Sequence, residues 1–319
     1  VHVASLLRKT VTRKTAKFCL GPPSPPHFSR ENQTLLFFHR CWHGSCFGHI
    51  VVYNSTNSND ANVRNRHFPG AKIMTAGITL AARPSAITFV PEKTALIVID
   101  MQRDFIEPGG FGAALGNDVT LLRRAIKPVQ DALTVARALG LLIIHTREGH
   151  RPDLSDAPPA KLARGNSKTR IGCPGPMGRI LVRGEPGHDI IPECYPLPGE
   201  PVLDKPGKGC FYQTDLDIML RNRGIEYLLV CGVTTEVCVH TTVREANDRG
   251  FRCIVLGDAC ASYFPEFHDV ALRMISAQGG IFGWVSYTTE LVSVTSDAII
   301  NHSSSTTNVH TNNTASVKI

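Results

Sequence analysis

The sequence predicts an α/β fold: a six-stranded parallel sheet between two layers of helices. Three observations predict it. From about residue 91 to 296, short apolar runs alternate with amphipathic stretches. The runs are unbroken rather than alternating, as suits strands covered on both faces. Strands separated by helices imply right-handed crossovers and a parallel sheet.

The elements follow in order. Ala95–Asp100 (ALIVID) is an apolar strand ending in an acid. Asp118–Leu139 has apolar residues at helical spacing and ends at Gly140, a stop signal. Leu141–Thr146 (LLIIHT) is the second strand and Pro201–Lys205 a short third one. Thr214–Arg223 reads as a helix with Thr214 as N-cap, Asp217 in its first turn and Gly224 at its end. Tyr227–Cys231 is the fourth strand. Glu236–Arg249 is a helix closed by Gly250, with Thr235 as N-cap. Arg252–Leu256 is the fifth strand, Phe267–Gln278 a helix and Phe282–Ser286 the sixth strand. The Pro/Gly-rich connection 151–199 is long for a compact domain, which predicts a cover for a pocket or an oligomer interface.

The flanks differ. Residues 1–90 hold 11 Lys/Arg against 2 Asp/Glu, and the remainder 23 against 25, so the net charge of +7 is an N-terminal property. The near-neutral remainder gives a nucleic-acid function no electrostatic support. Residues 1–90 read as a basic, disordered extension. Their opening VHVASLLRKTVTRKTAKF has the composition of a mitochondrial transit peptide, and equally of a plain tail or a gene-model extension, the reading preferred here. Cys41 and Cys46, near His39, His43 and His49, fit no zinc spacing. Residues 297–319, rich in Ser, Thr and Asn, read as a disordered tail. The ten cysteines form no CxxC pair, and several lie in apolar runs. This predicts free thiols and a cytoplasmic protein, with the mitochondrion as the alternative. No run approaches membrane-span length.

In parallel sheets ligands bind beyond the carboxyl ends of the strands. The first strand is followed by Asp100-Met-Gln-Arg-Asp, with no glycine fingerprint for a nucleotide. Three candidates follow strands instead. Cys238 lies in a first helical turn, where the helix dipole favours a thiolate; its plainer reading is a structural cysteine. Asp100 closes the first strand, as a catalytic acid or as a turn cap, with Asp104 a weaker rival. Lys205 closes the third strand, where a buried lysine needs an anion and Asp100 can be that anion. Lys208, three residues on, faces the same pocket or is a solvated loop lysine. An acid, a base and a thiol suit nucleophilic acyl chemistry.

The segments ALIVIDMQRDF, VLDKPGKGCFYQTDLDIMLRNRGI, LLVCGVTTEVCVHTTVREANDRGF and VLGDACAS together resemble the isochorismatase-like hydrolases, over roughly residues 92–292. The resemblance implies a three-layer fold with a six-stranded parallel sheet. It also implies an Asp100–Lys205–Cys238 triad that cleaves amides, because members that hydrolyse isochorismate lack the cysteine. It implies a cis Val233–Thr234 bond and an oxyanion hole from the amides of Thr234 and Cys238. The metal-binding Asp-x-His pattern of nicotinamidases is missing from HTREGHRPDLSDAP, although His145, His150 and Asp153 remain, so no metal and no cofactor are expected. The stretch TREGHRPDLSDAP, the DKPGKG loop and Gln278 look like biuret amidohydrolase. In that group a glutamine bonds a planar, urea-like substrate; the plainer reading of Gln278 is an exposed helix end. Lys208, Phe105 and Phe211 complete the expected substrate-binding set. Ureidoacrylate and nicotinamide amidohydrolases are the alternatives, and a non-catalytic binding protein on the same scaffold is the rival of another class. A homo-oligomer is also implied.

Overall fold

The computed structural model describes residues 77–294. The transit-peptide stretch, the Cys41/Cys46 cluster and the 297–319 tail lie outside the described residues. Among the described residues, strands begin before the expected boundary at 91. Ile78–Leu80 (β1) and Ile87–Phe89 (β2) form an antiparallel hairpin. Leu80 and Phe89 are fully buried, and Arg83 exchanges backbone hydrogen bonds with Val285. Each hairpin strand is three residues long, too short for a period-two pattern to stand out from a loop.

The main sheet comprises Thr94–Ile99 (β3), Leu142–Glu148 (β4), Val202–Lys205 (β5), Tyr227–Val233 (β6), Arg252–Ala261 (β7) and Trp284–Ser286 (β8). Its order is β8-β7-β6-β3-β4-β5, and every neighbouring pair is parallel. All six residues of β3 are buried, because the sheet is covered on both faces. On one side Val129, Leu133 and Ala136 of helix α1 (Ile126–Ala138) share a core with Leu96, Val98 and Leu229. On the other, α2 (Leu216–Asn222), α3 (His240–Asp248) and α4 (Pro265–Gly280) bring Leu220, Val243 and Ile275 onto Ile97, Leu228 and Val230. Burying each such side chain contributes about 1.5–3 kcal/mol. The fold is the predicted three-layer α/β sandwich.

Several boundaries differ from expectation. The helix expected over Asp118–Leu139 is two pieces, Thr120–Arg123 and α1. Pro128 lacks the amide that would reach the carbonyl of Arg124, so the helix restarts with the proline in its first turn. The N-cap of α2 is Asp215, one residue past the expected Thr214, but it is the Thr214 hydroxyl that accepts the Leu216 amide at 3.3 Å while donating to the carbonyl of Cys210. Strands β4, β6 and β7 all run past their expected ends. At the β6–β7 register shift Gly232 has φ 116°, and a Cβ there would lie 2.0 Å from the carbonyl oxygen of Ile99. Only glycine lets β6 lie this close to β3 at the edge where the candidates gather.

The chain leaves β3 toward β4 on one side and leaves β6 toward β7 on the other. Their carboxyl ends therefore flank a topological switch point, the usual ligand crevice of such sheets. The connection 151–199 contributes Ile180, Leu181, Ile190 and Ile191 to the core. Among the described residues no helix is long and apolar enough to cross a membrane, and seven free cysteines are present.

Candidate active site

Four strand ends converge at the switch point. Asp100 follows β3 with φ 51°, a left-handed turn that Asp tolerates better than most residues. The turn leaves its side chain fully buried. Oδ1 accepts a hydrogen bond from the Thr146 hydroxyl at 2.7 Å, and Oδ2 lies 2.7 Å from Lys205 Nζ. Lys205, the last residue of β5, is also fully buried and donates to the carbonyls of Gly207 and Lys208. Burial alone would depress its pKa; Asp100, then Cys238 and Glu148, raise it well above the ordinary value. It is a permanent cation. The expected acid–lysine pair is present, and removal from water makes it dependent on its geometry.

Cys238 lies in a π-helical turn, Thr235–Val239, that leads into α3. Its carbonyl accepts from the Thr242 hydroxyl at 2.6 Å. The preceding Val233–Thr234 bond is cis. Thr235 is not the cap: Thr234 occupies that place, and the Thr235 hydroxyl bonds His268 Nδ1 at 2.8 Å. The expected thiolate is also corrected. Burial raises the thiol pKa first, and Lys205 and Lys208 do not outweigh it together with Asp100 and Glu148, so it stays well above the usual value. Cys238 rests as a thiol and needs a base at the moment of attack.

Its S–H points to a residue the sequence reading passed over. Cys238 Sγ donates to Glu148 Oε2 at 3.5 Å. Glu148 ends β4, two residues past the expected end of that strand. It is fully buried and bonds Lys208 at 2.7 Å and Lys161 at 3.3 Å; Lys205 lies 4.0 Å away. Burial would raise its pKa, but Lys205, Lys208 and Lys161 hold it at about 2. Gln102 fixes its backbone: the side-chain oxygen accepts the Glu148 amide and the side-chain nitrogen donates to the Glu148 carbonyl. A signal was available in the period of two. Thr146 and Glu148 point to the site, whereas His145 and Arg147 point away to Glu200 and Asp204. The charged run RE after an apolar strand reads more readily as a loop.

Lys208 is therefore no free loop lysine. Phe105 belongs to the core, edge-on to Phe111 at 6.4 Å. Phe211 stacks on Phe251 at 5.9 Å and belongs to the same buried cluster as Cys238. Asp104 accepts the amides of Phe111 and Leu181 and so ties the long connection down. Gln278 is exposed with φ 51°, where α4 has run back from the carboxyl edge and the chain turns toward β8. β8 opens opposite Ile254, near the start of β7, so the chain does not bring Gln278 to Asp100, Lys205 and Cys238. Of the histidine set, His150 is buried against Asp156 and His145 against Glu200, while Asp153 caps its own turn.

Asp100, Glu148 and Cys238 each offer a ligand atom within 4.8 Å of the others, a donor set open to a cation. Lys205 already lies 2.7 Å from Asp100 there. Its ammonium supplies the positive charge, and the residues do not fit a divalent ion beside it.

The Isochorismatase domain matches residues 94–290, nearly the full extent of this sheet and its helices. The chain belongs to the isochorismatase family. Among solved structures it is similar to a cysteine hydrolase from Pseudomonas syringae pv. phaseolicola 1448A, with 30% identity and a TM-score of 0.56 over 66% of this chain and 95% of that one. It is also similar to an isochorismatase family protein from Desulfovibrio vulgaris subsp. vulgaris str. Hildenborough, with 29% identity and a TM-score of 0.52 over 64% of this chain and 98% of that one. The protein is a hydrolase of this family, and the acid, lysine and thiol lie at the switch point of its sheet.

Proposed function

We propose that the protein is a cysteine-dependent amidohydrolase that cleaves a small urea-like amide, with biuret as the leading substrate. The observation that supports this most is the buried Asp100–Lys205 pair within reach of the Cys238 thiol. A retired site has no reason to keep two charges out of water.

Asp100, paired with Lys205 and with a carboxylate oxygen within 4.8 Å of the thiol, is the base. Asp100 takes the thiol proton as sulfur attacks the amide carbonyl carbon. Lys205 keeps the carboxylate oriented. The oxyanion is met by the amides of Thr234 and Cys238 at the helix start. The C–N bond breaks, the Asp100 proton leaves with the nitrogen, and a thioester remains on Cys238. Water deprotonated by Asp100 hydrolyses the thioester and frees the thiol. From biuret the products are ammonia and allophanate. No cofactor takes part.

The test is ammonia release by the purified protein from biuret, ureidoacrylate and nicotinamide, with and without chelator. Preferential, chelator-insensitive turnover of biuret is expected. Preference for nicotinamide with loss on chelation would replace this reading. The same reading includes a homo-oligomer; light scattering that returns the 34.8 kDa of one chain would remove that part.

A further inference from the structure

We propose that Glu148 is a substrate-binding residue that accepts an N–H from the scissile side of the amide, and so selects N–H-bearing carbamoyl compounds over esters. This rests on the amidohydrolase reading and names what that site recognises.

Glu148 Oε2 takes the Cys238 S–H at 3.5 Å, while Lys208 reaches both carboxylate oxygens and Lys161 reaches Oε1. When the thiol surrenders its proton to Asp100, Oε2 loses that donor. Two anions would then face each other at the same separation in a buried site, an arrangement that opposes attack. Lys208 stays on Oε2, but the acceptor position that the S–H filled is left open to another donor. In a near-attack pose the carbonyl carbon lies roughly 3–3.5 Å from sulfur. Its nitrogen is one bond further on and comes within hydrogen-bond reach of a carboxylate that already touches sulfur. An amide N–H therefore takes the place that the S–H leaves. The bond strengthens when the nitrogen takes the Asp100 proton and carries positive charge, so it favours the transition state for C–N cleavage over the bound substrate. An ester has no hydrogen to offer there.

The lysines make this possible. They favour the ionised carboxylate, which accepts hydrogen bonds and does not donate them. Lys161 comes from the short helix Pro159–Leu162 in the long connection, and it also bonds the carbonyl of Pro206. Gln102 holds the Glu148 backbone from the β3 side. The carboxylate is thus fixed from three segments and aimed at sulfur. Simple neutralisation of lysines does not require that aim.

The experiment compares Glu148→Gln and Glu148→Asp with the wild type on biuret and on p-nitrophenyl acetate, an ester probe. Glu148→Gln removes the charge; Glu148→Asp keeps it but withdraws the oxygens from sulfur by one methylene. Both are expected to lower kcat/KM on biuret by roughly 10- to 100-fold and to lower it far more on the amide than on the ester, so that the amide-to-ester ratio falls. Iodoacetamide labelling of Cys238 in Glu148→Gln is expected to shift to lower pH, because a negative charge beside the thiol is gone. Equal loss on amide and ester in both variants would reduce Glu148 to a structural counter-ion and overturn the proposal, as would unchanged amide turnover. If the wild type prefers ureidoacrylate or nicotinamide, the biuret reading fails and the amide-to-ester ratio is read on that substrate instead. If it cleaves the ester and no amide, both readings fall.

Discussion

Asp100 and Lys205 form a pair whose partners are both out of water, and their energetics are asymmetric. Removing one leaves an uncompensated buried charge, which costs about 3–5 kcal/mol. Lys205→Met is therefore expected to lower stability by about that amount in urea unfolding. The double variant with Asp100→Asn is expected to regain most of it while remaining inactive. A double variant as unstable as Lys205→Met alone would contradict the pairing. At this scale the sequence was most legible for residues that end apolar strands: Asp100 and Lys205 stand out because a charge closes a run that should be buried. Glu148 was illegible for the opposite reason. It follows another charged residue, and nothing local says that three lysines will neutralise it. Two of those lysines arrive from segments with no strand or helix pattern at that point.

Among the elements, the approach of β6 to β3 is decided by one residue. Gly232 combines φ 116° with an Ile99 carbonyl 2.0 Å from where a Cβ would stand. Gly232→Ala must push the strands apart at the edge that holds Asp100 and Cys238. It is expected to destabilise the fold by about 3 kcal/mol or more and to impair catalysis out of proportion to the fraction unfolded. Wild-type activity per folded molecule would show that β6 can shift without disturbing the thiol. Strand cores were readable from apolar runs, yet three strands were read short. Their carboxyl ends carry polar side chains because they form the site, and polarity looks like a loop. The hairpin β1–β2 was missed because its pattern is too brief, and the helix before Gly140 was read as one because its apolar spacing runs through Pro128.

For the whole molecule, burial of ionisable groups predicts how acid unfolds it. His188 lies 3.6 Å from Asp204; burial comes first among the influences on it and takes its pKa from 6.5 to about 4. His145 and His150 are lowered by burial as well. A histidine depressed in the folded state binds its proton more readily when unfolded, so its contribution is complete above 6.5 and is lost as pH falls toward 4. Glu200 follows at lower pH. Burial opposes its ionisation, but the Arg137 hydrogen bond and the Leu197 amide bring its pKa from 4.5 to about 2. That stabilisation is present above 4.5 and fades as pH falls toward 2. Unfolding free energy from urea titrations is expected to be level between about pH 6.5 and 8 and to decline in two stages below that window. A constant value down to pH 4 would contradict the buried neutral histidines. The three-layer sandwich and its parallel sheet were legible from alternation alone, since strand order follows from few topological choices. The place of Gln278 was not: its position after a helix is clear in sequence, but only the sheet pairing of the next strand shows which edge it reaches.

The central claim is that Cys238 carries the acyl group during amide cleavage. Intact mass and peptide mapping of enzyme acid-quenched during biuret turnover test it directly. The account predicts a transient acyl adduct on Cys238 that disappears when substrate is exhausted, with no adduct and no ammonia from a folded Cys238→Ala variant. Continued ammonia release by Cys238→Ala would contradict it.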